Sequence, residues 1–96
     1  MTQQHLAGEL SLLLGQLQAA MKDEASVVKV AHLRQRAETG PRLALLASVV
    51  QRALKVADRA CWDSLTCGDA TAFIRQAEVS AELREFGVCA GLVEER

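Results

Sequence analysis

The stretch from Asp69 to Phe86 carries apolar residues on two sides of a helix, which constrains the fold more than any other feature of the chain. At about 100° per residue, Ala70, Phe73, Ile74, Ala77 and Ala81 fall on one side, and Ala72, Val79, Leu83 and Phe86 nearly opposite. Glu78, Glu82, Glu85 and Arg75 fill one gap between the stripes, and Gln76, Ser80 and Arg84 the other. A surface helix of a small domain needs one apolar stripe against its core. Two stripes imply two neighbours, one of them in a partner chain or a second copy of this one. Val79, Leu83 and Phe86, with Leu92 from the apolar tail, are therefore expected at an interface.

The remaining residues read as helix as well. Leu6, Leu10, Leu13, Leu14, Leu17 and Met21 make one broad stripe, with Thr2 placed to cap it. Extrapolated past Lys22, that stripe leaves Val30 and Leu33 off axis by roughly 100° or more. A break near residues 22–25, capped by Asp23 or Ser26, restores the alignment. No glycine or proline marks this break, so a single long helix is the alternative. Thr39-Gly40-Pro41 is a clear stop and restart. The next stripe holds Leu43, Leu46, Val50, Ala53, Leu54, Ala57, Ala60, Cys61 and Leu65, with small residues in its second half that admit a close neighbour. Cys67-Gly68-Asp69 turns the chain, Asp69 caps the last helix, and Gly87 is expected to end it.

The expectation is one all-α domain over residues 1–96, with helices at about 3–22, 26–38, 42–65 and 69–86 and an apolar tail at 88–93. No strand-period alternation competes with this reading. The architecture is a compact bundle of three or four helices, associating with a second chain. Only three residues are aromatic, and the apolar content is mostly alanine and leucine, which makes a core thin in volume.

Net charge is −1, which argues against a globally basic nucleic-acid binder or a strong attraction to membrane surfaces. The N-terminal residues lack the basic patch and apolar run of a signal peptide, and no apolar run is long enough to span a bilayer. Three cysteines, an odd number, suit a reducing compartment, so a cytoplasmic location is expected.

The chemistry-bearing residues are sparse. Cys61, Cys67 and Cys89 lack the short paired spacing of a zinc site, and on one helix Cys61 and Cys67 would lie about 9 Å apart along the axis. No metal and no cofactor is expected. His5 and Glu9 stand at i, i+4, and neither His5 nor His32 has a nucleophile at catalytic spacing; no enzymatic activity is expected. Asp63-Ser64-Leu65 resembles the tripeptide at which acyl carrier proteins bear phosphopantetheine, which would place the arm on Ser64. The resemblance covers that tripeptide alone, and here it lies near a helix end. His32, Arg34, Arg36 and Arg42 flank the Gly40 turn as in a helix-turn-helix, but the helix after it opens with one polar side chain where base reading needs three or four.

Trp62 projects roughly 140° from the centre of its core stripe, among Lys55, Asp58, Arg59 and Thr66. It is either an interface contact or, if the helix bends near Cys61, a residue packed on its own tail. The function expected from these features is that of a protein–protein interaction module: a small adaptor, chaperone-like or regulatory subunit that presents a helix face to a partner, as a homodimer or as one part of a hetero-complex. A small-ligand sensor or enzyme accessory subunit is the alternative, and a DNA-associated regulator a third.

Overall fold

A carboxylate settles whether the first half of the chain is one helix or two. Asp23 adopts an extended conformation, and its side chain accepts from the Ser26 backbone N–H at 2.9 Å and from Ser26 Oγ at 3.0 Å. Those bonds satisfy orphan donors at the start of a new helix. The computed structural model describes residues 3–40 and 42–93, so the expected roles of Thr2 and Pro41 lie outside the described residues. Helix α1 spans Gln3–Ala20, α2 Glu24–Thr39, α3 Leu43–Thr66 and α4 Ala70–Cys89. Among the described residues there is no strand.

Three-residue connections make successive helices antiparallel neighbours. The fourth contact closes the ring, with α1 running back along α4 and only a minor diagonal contact between α1 and α3. The result is an up-down-up-down four-helix bundle with extents of 41 × 28 × 16 Å. Its centre is aliphatic: Leu10, Leu14 and Leu17 of α1, Val30 of α2, Leu46, Val49 and Val50 of α3, and Leu83 of α4 have no exposed surface. Ala53 and Ala57 are also fully buried, so α3 turns small side chains inward, which admit a close neighbour.

The α3–α4 turn does two jobs with one residue. Gly68 has φ +81°, its N–H bonds the Leu65 carbonyl, and the Asp69 N–H bonds the Ser64 carbonyl at 2.9 Å. That is a Schellman C-cap, in which a left-handed residue is needed and glycine takes it without a Cβ penalty. Asp69 then caps α4, accepting from the Ala72 N–H at 3.1 Å, and pairs with Lys22 from the α1–α2 connection. Two loops at the same end of the bundle are thereby tied together.

Both caps predict how the fold responds to acid. The hydrogen bonds from Ser26 lower the Asp23 pKa, and the bond from Lys22, followed by that from Ala72, lowers Asp69. A depressed folded-state pKa means stability fully present above the ordinary carboxylate value of 3.8 and lost as pH falls below it through the folded value. The denaturant midpoint should therefore drop between pH 5 and about 3, and drop less in an Asp23→Ser, Asp69→Ser variant, whose neutral caps do not titrate. Equal drops in both proteins would show that the caps do not carry the acid response.

The structure corrects the reading of α4. Its buried residues are Gln76, Ser80, Leu83 and Gly87, so one polar gap between the two stripes points inward. Leu83 is fully buried, Leu92 retains 7% exposure, and Val79 and Phe86 pack on the same core. These four residues, expected at an interface, are covered mainly by the chain itself. The cause is that Gln76 and Ser80 find hydrogen-bond partners inside, so a single wide face spans the gap from Phe73 to Phe86.

Gly87 does not end the helix. A Cβ there would stand 2.8 Å from Val93 Cγ2 and 3.0 Å from Val50 Cγ1, so the glycine lets α3 and the tail close in. The stop comes at Gly91, φ +73°, where the Leu92 N–H bonds the Gly87 carbonyl and the Gly91 N–H the Val88 carbonyl, a second Schellman motif. The α3 stripe also differs at its ends: Leu43 and Leu65 are 47% and 56% exposed, on the flank of the stripe in the first and last turns of the helix.

Candidate interaction surfaces

Two surfaces combine large apolar side chains with access from outside. The first lies on the α3–α4 hairpin. Trp62 is 63% exposed and Leu65, one turn further on, 56%; Ile74, in the first turns of α4, is 55% exposed. Helix α3 runs on through Cys61 to Thr66, so Trp62 stays on the polar side of the helix and is not folded onto the tail. Arg59 is engaged by Asp63 at 3.4 Å. Of the residues expected at an interface, Trp62 alone keeps most of its surface open.

The second is a groove of about 460 Å³ between α1 and α4. Leu6, Leu12 and Leu13 form one wall and Phe86, Cys89 and Ala90 the other, with Glu9, Glu82 and Glu85 along the edges. Leu12 is 65% exposed, lying well off the α1 core stripe. Among the described residues, no lysine or arginine lines the groove. Glu9 accepts a hydrogen bond from His5 at 3.0 Å. Among the described residues, Glu82 and Glu85 have no ion-pair partner. Periodicity does not reveal this groove, because it places Leu6, Leu13 and Phe86 on the stripes of separate helices and leaves Leu12 off them. A leucine two residues from a stripe member, facing away from it, was the available signal.

A larger depression of about 1490 Å³ follows the outer seam of α3 and α4 and includes Cys61, Phe73 and Val88. Polar groups cross it: Ser80 Oγ donates to Asp58 at 3.4 Å, and Arg84 stands 3.9 Å from the same carboxylate. Burial, then the charge of Asp58, pushes the Cys61 thiol pKa up, which makes it a poor nucleophile.

The other sequence candidates are absorbed into the bundle. Ser64 is 3% exposed and donates to Gln76 Oε1 at 2.7 Å, so a phosphopantetheine arm has no room to attach there. Arg34 Nε donates to Ser11 Oγ at 3.1 Å and lies 3.5 Å from Glu38, while Ser11 donates to Glu38 at 2.6 Å. The basic cluster thus spends one of its arginines holding α1 to α2. Among the described residues, no three His, Cys, Asp or Glu side chains converge as metal ligands, and no helix is long and apolar enough to cross a membrane. Comparison of the chain with protein-family models, curated proteins and solved structures gave no match.

Proposed function

We propose that the chain is a protein–protein interaction module, a small helical adaptor or regulatory subunit whose hairpin face meets a partner, in the simplest case a second copy of itself. The observation that carries this reading is the exposure of Trp62, Leu65 and Ile74, all within two turns of Gly68. Tryptophan is enriched among the few residues that dominate interface energies, and burying one removes about 150–250 Å² from water. Catalysis forms no part of the proposal. The three unpaired thiols support a reducing, cytoplasmic setting.

Sedimentation equilibrium should show concentration-dependent self-association, weakened by about 2 kcal/mol or more in Trp62→Ala. Because the indole is mostly exposed, the same variant should keep the denaturation midpoint of the parent. A monomer at every concentration would remove the homodimer form of the proposal. A large loss of folding stability in Trp62→Ala would instead make the residue part of the core.

A further inference from the structure

The groove between α1 and α4 shares no residue with the hairpin face, and its chemistry is specific enough to name an occupant. Its floor is aliphatic and aromatic, its edges carry Glu9, Glu82 and Glu85, and among the described residues no lysine or arginine lines it. Two helices bound it, leaving a channel parallel to their axes, the shape into which a third helix lays an apolar ridge. We infer that this groove docks a basic amphipathic helix of another protein, leucine-like residues entering between Leu12 and Phe86 and lysines or arginines facing the glutamates.

Charge complementarity decides between occupants. A small apolar ligand would gain nothing from three carboxylates at the edge, and an acidic or neutral helix would meet repulsion or no attraction. The chain's own basic faces are poor fits: on α3, Arg52, Lys55 and Arg59 are exposed beside Trp62 and Leu65, but no third large apolar side chain continues that row. On α2 the chain offers Lys29, His32 and Arg36 around Val28, the one large apolar side chain exposed on that helix. A filled groove needs apolar anchors at i, i+3 or i+4, and i+7, which neither helix presents outward. The partner is therefore a different chain that carries both features on one helix.

A fluorescently labelled model peptide of about four helical turns, leucine on one face and lysine on the other, tests this against the full chain. Binding should be saturable, and it should weaken as salt shortens the screening length below about 8 Å. The same peptide with glutamate for lysine should bind at least about tenfold more weakly, the contrast that opposite rim charge imposes. Glu82→Lys, Glu85→Lys and Leu12→Ser alter exposed side chains and should leave the circular dichroism spectrum and melting curve intact. Each should reduce peptide affinity severalfold, whereas Asp63→Lys on α3, the same change in net charge away from the groove, should not. Equal loss in Asp63→Lys and Glu82→Lys would mean diffuse attraction and overturn the assignment. So would equal binding of the two peptides, or a groove already filled by a second copy, seen as self-association that Glu82→Lys abolishes.

Discussion

Replacing Leu83 with alanine should cost about 2–5 kcal/mol of folding stability, the range for truncating a fully buried leucine. The side chain has no exposed surface and sits in the cluster that joins α4 to α1 and α3. The spread depends on how far the neighbours collapse. Gln76 and Ser80, on the same helix as Leu83, are hydrogen-bonded to Ser64 and Asp58 of α3, which limits relaxation and favours the upper half. Set against a typical domain stability of about 5–15 kcal/mol, the loss would leave a visibly unfolded fraction at physiological temperature. Ile74→Ala, on the outer side of the same helix and 55% exposed, should cost far less. Chemical denaturation of both variants at a concentration where the parent is monomeric separates core from interface. A Leu83→Ala protein with the parent's midpoint would return this residue to the surface.

That contrast shows where hydropathy patterns mislead. Helices α1 and α3 were legible because each buries one continuous stripe: Leu6, Leu10, Leu14 and Leu17 in the first, Leu46, Val50, Ala53 and Ala57 in the third are all buried. The turns were legible because their chemistry is local, Asp23 and Asp69 reaching three residues forward to a backbone N–H. Helix α4 was not. A period argument sends polar residues to solvent, but Gln76 is 1% exposed and Ser80 8%. What brings them in is a set of partners on other helices, Ser64, the Ala20 carbonyl and Asp58. No single-helix pattern contains that information. Gly87 shows the same limit: a glycine in sequence marks freedom to turn, while here it marks the approach of Val50 and Val93. The groove was hidden for a third reason, since its walls come from residues far apart in the chain, with Leu12 unremarkable until Phe86 lies across from it.

The buried Gln76 is the polar centre of the bundle, and its removal should be felt almost as strongly as that of Leu83. Its Oε1 accepts from Ser64 Oγ at 2.7 Å, and its Nε2 donates to the Ala20 carbonyl at 3.0 Å. One amide thus links α3, α4 and the end of α1. Ala20 closes α1, so its carbonyl is among the last four that lack an intrahelical donor. With Gln76→Leu the volume is nearly kept, while a carbonyl and a hydroxyl lose their partners at a cost of about 1–3 kcal/mol each. The hydroxyl can turn to a carbonyl one turn back on its own helix, so the Ala20 oxygen bears most of the loss. The expected total is about 2–4 kcal/mol, and the melting temperature should fall by about 4–8 °C for each of them in a domain of this size. Ser64→Ala alone should cost less, because Gln76 keeps its bond to Ala20. The double variant tests the account: with the glutamine gone, removing the serine hydroxyl takes away an orphan, so the two losses should fall short of their sum by about 0.5–3 kcal/mol. Strictly additive losses would mean that Ser64 and Gln76 are buried side by side without the bond that explains why they are there.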